Sequence, residues 1–201
     1  MNREWQLTAR EALRMLKEGN ALYMNALTNP GDISPKIRVH TKEHGQFPYA
    51  IIITCSDSRV IPEAIFSAGI GDLFVIRLAG NVIDAHQLGS IEYAAEHLGS
   101  PLVVVMGHTH CGAVDAAINH NPEGFIKFIT DEIQLAIGDE KDPYEACIKN
   151  LNHSLALIQH SLDIRHVEET HDFAAVGAIY DIETGKVDFL PLLWAGEEPK
   201  E

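Results

Sequence analysis

The sequence LVVVMGHTHCG occupies residues 102–112 and contains the clearest indication of the fold. Its first five residues form an apolar run that lacks the polar alternation of a strand with one face in water. Two similar runs precede it, at residues 49–54 and 73–76. Each run has the length of a β-strand, and the lack of alternation predicts strands that are buried on both faces.

Helical patterns separate these apolar runs. Residues 62–66 and 87–98 read as helices, and Gly99 is placed as the C-terminal stop of the second one. Strands that alternate with helices pair in parallel through crossover connections. The first half of the chain therefore predicts a parallel sheet.

The second half of the chain adds further helices and a hairpin. Asp142 and Pro143 mark the start of a long helix, because Asp is a favoured N-cap and Pro is tolerated in the first turn. The predicted elements are helices at 111–119, 125–137 and 142–162 and strands at 173–182 and 187–190. We therefore expect one α/β domain, residues 1–201, in which helices flank a mostly parallel mixed sheet.

Residues 1–46 are expected to form an N-terminal helical arm and its connection to the sheet. Thr8 and Glu11 have the spacing of a capping box, and an apolar face follows them. Gly19 is expected to break this helix before a second, short one. Residues 29–46 are rich in Pro, Gly, Lys and His and read as a surface connection.

The composition is that of a globular protein with a strongly acidic surface. Of 201 residues, 15 are basic and 29 are acidic, which gives a formal net charge of −14. This charge disfavours nucleic acid and anionic lipid as partners. No apolar run approaches the ~20 residues that span a bilayer, and the N-terminus lacks the pattern of a signal peptide. We therefore expect a cytoplasmic protein that binds neither nucleic acid nor a membrane.

Three residues have the chemistry and placement of a metal site. Cys55 follows the first apolar run, and His108 and Cys111 follow the third. Ligands gather at the carboxyl ends of strands in open α/β sheets, so these side chains are expected to converge. Two thiolates and one imidazole form a catalytic zinc ligand set that leaves a fourth position open. The spacing alone leaves a second interpretation open, in which Cys111 is a buried thiol beside a histidine at a helix start.

An acid and a base lie two residues apart beside the first of these cysteines. Asp57 and Arg59 are spaced to pair with each other while facing the same pocket as Cys55. In isolation such a pair is more often an ordinary loop ion pair, which contributes about 0–1 kcal/mol when exposed. Next to a metal ligand, the pair has a candidate catalytic role.

Several ordered motifs resemble the β-class carbonic anhydrases over nearly the whole chain. The matching stretches are CSDSRV at 55–60, GDLFVIR at 71–77, AGN at 79–81, GSIEYA at 89–94, GHTHCGAV at 107–114 and VGAIYD at 176–181. This resemblance implies a zinc enzyme that converts carbon dioxide reversibly to bicarbonate and a proton. It also implies a homodimer or an assembly of dimers, with an N-terminal arm that wraps a neighbouring subunit.

The resemblance assigns roles to individual residues. It implies that Cys55, His108 and Cys111 hold Zn²⁺, and that Asp57 with Arg59 is the catalytic dyad beside zinc-bound hydroxide. The backbone N–H of Gly112 is a candidate for binding a bicarbonate oxygen at a helix start, although this glycine alternatively serves only to permit a tight turn.

Two other functions remain open on sequence alone. A related zinc hydrolase would act on carbonyl sulfide or carbon disulfide, because zinc hydroxide can attack those carbons too. A non-catalytic structural zinc site would need a fourth Cys or His. Cys147 lies far along the chain in a predicted helix, and only Asp57 is well placed to close the site.

Overall fold

In this computed structural model, which describes residues 7–25, 28–119 and 122–193, five strands form one sheet. In chain order they are β1 (Ala50–Thr54), β2 (Leu73–Arg77), β3 (Leu102–His108), β4 (Ala174–Tyr180) and β5 (Val187–Phe189). Their order across the sheet is β2-β1-β3-β4-β5. The first four are parallel and β5 is antiparallel to β4. The predicted mostly parallel mixed sheet of an α/β domain is confirmed.

Helices cover both faces of the sheet. They are α1 (Ala9–Asn25), α2 (Pro35–His44), α3 (Pro62–Ile65), α4 (Ala85–Glu92), α5 (Gly112–Asn119), α6 (Ile126–Ile137), α7 (Pro143–His160) and α8 (Leu162–Thr170). A 3₁₀ turn, Ala79–Asn81, follows β2, and a π-helical turn, Tyr93–His97, continues α4. Among the described residues, no helix is long and apolar enough to cross a membrane.

The central strands are buried on both faces, as their apolar runs predict. In β3, Val103 and Val105 join the core that α4 to α8 cover. Val104 and Met106 point the other way, into the core that α1 and α3 cover. The alternation follows from the two-residue period of a strand. Because β1 and β3 are parallel neighbours, their carboxyl ends lie together at one edge of the sheet.

The predicted break at Gly19 is wrong. α1 continues through this glycine to Asn25. A Cβ at position 19 would lie 1.9 Å from the carbonyl oxygen of Phe66, so the glycine permits close packing of α1 on the chain after α3. Residues 1–6 and 26–27 of the predicted arm lie outside the described residues.

The interpretation of residues 29–46 as a surface connection missed a helix. α2 begins at Pro35 after the N-cap Ser34, whose hydroxyl accepts from the Ile37 N–H, and its C-cap is Gly45. None of its residues is buried. A helix that packs no face into the core does not need an apolar stripe, so periodicity in the sequence does not reveal it. The capping residues were the only available signal.

Two other predicted elements differ in extent or burial. The helix predicted over 142–162 ends at His160, because Ser161 is extended and its hydroxyl caps the separate helix α8. β2 is only half-buried, because it forms one edge of the sheet. Its apolar run predicted burial on both faces, and the remaining cover is not supplied by the described part of this chain.

Candidate metal centre

The three predicted metal ligands meet at the carboxyl edge of the sheet. Thr54, the last residue of β1, pairs with Met106 in β3. Cys55 therefore follows one strand end, while His108 ends the neighbouring strand and Cys111 lies just before α5. One ligand atom from each of the three side chains lies within 4.8 Å of the other two. All three residues are buried.

The imidazole of His108 presents one nitrogen without a partner. Its Nδ1 lies 2.9 Å from the carbonyl oxygen of Thr109, so the tautomer with a proton on Nδ1 donates to that oxygen. Its Nε2 is buried and has no hydrogen-bond partner. A buried polar atom without a partner costs free energy, whereas a metal ion would use its lone pair. This atom fits a metal ligand.

The two thiols behave as one coupled group. The thiol of Cys111, the nearby imidazole of His108 and the N–H groups of Gly80 and Asp57 lower the pKa of the Cys55 thiol. The hydrogen bond between the two thiols, together with burial, raises the pKa of Cys111 far above the usual range of a thiol. A thiol must lose its proton to bind a metal ion, so binding of a divalent cation by these two residues would release protons.

The donor set fits zinc better than a hard cation. Thiolate sulfur and imidazole nitrogen are ligands that zinc prefers, whereas magnesium and calcium take oxygen. Within the described ranges, this is the one group of three or more His, Cys, Asp or Glu side chains arranged to hold a metal. Cys147 does not join it, because its Sγ donates to the carbonyl oxygen of His108 at 3.4 Å. A fourth Cys or His for a closed structural site is therefore missing from the described part of the chain.

Asp57 and Arg59 form a bidentate ion pair beside the candidate metal ligands. The Nε of Arg59 donates to Oδ1 of Asp57 at 2.9 Å, and its Nη2 donates to Oδ2 at 2.6 Å. The hydrogen-bonded guanidinium holds the pKa of the Asp57 carboxyl well below its usual range. Nη2 also donates to the carbonyl oxygen of His110 at 3.2 Å, which ties the loop of Asp57 to the loop between His108 and Cys111.

Gly112 is the first residue of α5, and the space beside it is open. A Cβ at this position would have no atom within 4 Å, and its backbone is not in the left-handed region. The alternative of a turn that requires glycine therefore has no support in the backbone conformation. The binding of a bicarbonate oxygen by this N–H stays a prediction.

Arg77 contributes to the site and was missed from sequence. Its Nη2 donates to the carbonyl oxygen of Asp57 at 2.8 Å, and its Nε donates to that of Cys55 at 3.2 Å. The arginine thus fixes the backbone between a candidate metal ligand and the acid. The available signal was a cation at the end of an apolar strand next to β1, since ends of neighbouring parallel strands meet at one edge.

Comparison with known proteins identifies the family. The family model for carbonic anhydrase matches residues 50–187. The carbonic anhydrase of Mycolicibacterium smegmatis is 36% identical to this chain, and the match covers 88% of this chain and 91% of that protein.

Solved structures with the same fold include the β-carbonic anhydrase CcaA and a tetrameric β-carbonic anhydrase from Sordaria macrospora. CcaA is 29% identical with a TM-score of 0.69, and the match covers 90% of this chain and 93% of that one. The S. macrospora enzyme is 25% identical with a TM-score of 0.67, and the match covers 79% and 92%. With a buried Cys-His-Cys group on the matching fold, the chain belongs to the β-carbonic anhydrase family, as the motifs predicted.

Proposed function

We propose that this protein interconverts carbon dioxide and bicarbonate with a zinc ion held by Cys55, His108 and Cys111. The observation that carries the proposal is the buried Cys-His-Cys group, in which Nε2 of His108 lacks any other partner. Membership of the carbonic anhydrase family supports the same reaction. A zinc ion with an open position supplies a water of lowered pKa, and hence a nucleophile near neutral pH.

The protein's own residues orient the reactants around that centre. We assign Asp57 the role of accepting a hydrogen bond from the attacking water, which turns a lone pair of the water toward the carbon of carbon dioxide. Arg59 keeps this carboxylate ionised and in place through its two hydrogen bonds. We assign to the N–H of Gly112, at the start of α5, the binding of an oxygen of the product.

Zinc content and carbon dioxide hydration, measured together, test this function. Wild-type protein is expected to hold one zinc per chain and to hydrate carbon dioxide in a stopped-flow assay, whereas Cys111→Ser loses both. Cys147→Ser is the matched control, since it removes a buried thiol outside the ligand group and is expected to keep its zinc. Parallel assays with carbonyl sulfide and carbon disulfide separate the related hydrolases. Wild-type protein that hydrates carbon dioxide at full rate without metal contradicts the proposal.

We further propose that the chain, a single domain over residues 1–201 with an arm at 1–46, works in the cytoplasm as a homodimer or an assembly of dimers. Support for assembly comes from β2, an apolar edge strand, and from α2, which buries no residue against its own chain. Exposed apolar edges favour pairing with another chain. One structural relative is named as tetrameric. The three unpaired thiols suit a reducing compartment.

A further inference from the structure

The sulfur of Cys55 depends on a backbone turn that contributes no metal ligand. The N–H of Gly80 donates to Sγ of Cys55 at 3.2 Å, inside the protein. Gly80 belongs to the 3₁₀ turn Ala79–Asn81, which follows β2. The position of this one amide therefore affects both where the sulfur lies and how much charge it carries.

This turn contains a residue in an unfavourable backbone conformation. Gly80 has a φ of 66° and Asn81 has a φ of 47°, so two consecutive residues lie in the left-handed region. Glycine adopts this region freely, but a non-glycine residue such as Asn81 costs free energy there and persists only where the surroundings determine it. The side-chain Nδ2 of Asn81 is buried and has no hydrogen-bond partner, so it does not supply that support.

The N–H of Asn81 closes the turn on the carbonyl oxygen of Leu78 at 2.9 Å, and two polar side chains on α7 add further support. Nδ2 of Asn150 donates to the carbonyl oxygen of Gly80 at 2.8 Å, and Oγ of Ser154 donates to that of Asn81 at 3.3 Å. Both side chains are almost fully buried, at 2% and 1% exposure. They are four residues apart and so lie on one face of the helix, among other buried residues of α7. Each of these two buried donors thus bonds to a different carbonyl oxygen of the turn.

We propose that Asn150 and Ser154 are positioning residues of the metal centre, because they hold the turn whose amide donates to the sulfur of Cys55. Neither side chain forms a hydrogen bond with the candidate metal ligands or with Asp57 and Arg59. The proposal rests on the proposed function, since it assumes that Cys55 holds zinc. Groups that orient metal ligands in this way typically change metal affinity by about 10- to 100-fold when they are removed.

The test compares Asn150→Ala with a matched asparagine elsewhere. Asn20 on α1 is equally buried, at 3% exposure, and its Nδ2 also donates to a glycine carbonyl, that of Gly185, at 2.9 Å. Asn150→Ala is expected to raise the zinc dissociation constant by at least about 10-fold, whereas Asn20→Ala leaves it unchanged. In cobalt-substituted protein, Asn150→Ala is expected to move the sulfur-to-metal charge-transfer absorption to lower energy, because the sulfur loses a hydrogen bond.

Ser154→Ala repeats the comparison with a smaller change, in case Asn150→Ala does not fold. The proposal is overturned if Asn150→Ala has the zinc affinity and the cobalt spectrum of wild type. If only Ser154→Ala folds, the same result in that variant overturns it. An equal loss of zinc affinity in Asn20→Ala also overturns it, because the effect would then be general destabilisation. If wild-type protein itself neither binds zinc nor hydrates carbon dioxide, the proposed function fails instead.

Discussion

At the scale of single residues, the strongest sign of a metal centre is one buried ligand nitrogen that has no hydrogen-bond partner. Nε2 of His108 is buried and unbonded, while Nδ1 of the same ring is engaged by the neighbouring carbonyl. The positions of two cysteines and one histidine at two strand ends, together with the family motifs, predicted the three candidate ligands. They did not identify Gly80, since a backbone amide carries no side-chain signal.

Removal of the acid should separate metal binding from turnover. We expect Asp57→Ala to keep its zinc, because the ligands are unchanged, and to lose about 100-fold or more in turnover, as is typical when a group that handles a proton is removed. Zinc content and stopped-flow rates on the same sample check this. Turnover equal to that of wild type would remove Asp57 from the mechanism.

The ligand charges predict a pH dependence of the rate. Two thiolates and a neutral imidazole cancel the two positive charges of zinc, so the bound water should be less acidic than at a three-histidine centre, where its pKa is about 7. The rate of carbon dioxide hydration is therefore expected to rise toward alkaline pH. A flat profile from mildly acidic to alkaline pH would argue against this charge balance.

At the scale of elements, sequence patterns succeeded where burial is complete and failed where it is partial. β1 and β3 are buried on both faces and were predicted from their apolar runs. α2 buries nothing, so only its caps could reveal it. Gly19 was read as a helix break because the sequence does not show that another chain segment packs against it. α8 was merged with α7 because a single extended serine separates them.

α8 carries a half-buried carboxyl that should make stability depend on pH. Burial raises the pKa of Glu168 to about 7, from 4.5, and its Oε1 has no hydrogen-bond partner. Between these pH values the folded chain retains a proton that the unfolded chain releases, so this group's contribution to stability is full below pH 4.5 and is lost as the pH rises through about 7.

Replacement of the Glu168 carboxyl by an amide should remove the loss of stability that this group causes at alkaline pH. The difference in unfolding free energy between Glu168→Gln and wild type is expected to be about 1 kcal/mol more favourable to the variant at pH 8 than at pH 4.5. This figure is small because solvent screens a half-exposed group. Thermal unfolding of both proteins at the two pH values measures the difference. Glu132→Gln on the exposed face of α6 is the control. An identical stability difference between variant and wild type at both pH values would show that Glu168 does not titrate with folding.

At the scale of the whole molecule, the half-buried edge of the sheet predicts an assembly. Val39 on α2 is 53% exposed, on a helix that buries no residue in its own chain. In a monomer, Val39→Glu would change stability by no more than about 0.5 kcal/mol. If a second copy covers α2, the same substitution buries a charge and should dissociate the assembly.

Sedimentation velocity distinguishes these cases. Wild-type protein is expected to sediment as a dimer or larger at micromolar concentration, Val39→Glu as a smaller species, and the uncharged control Val39→Thr like wild type. A wild-type monomer over this range would contradict the proposed assembly. Unchanged assembly in Val39→Glu would place the interface elsewhere on the surface.

The most direct measurement is a titration of metal-free protein with zinc while the carbon dioxide hydration rate is followed. If Cys55, His108 and Cys111 form one open catalytic centre, the rate rises in proportion to added zinc and levels off at one zinc per chain. Full activity before any zinc is added, or one tightly bound zinc per chain with no gain in rate, would contradict a catalytic zinc centre in this protein.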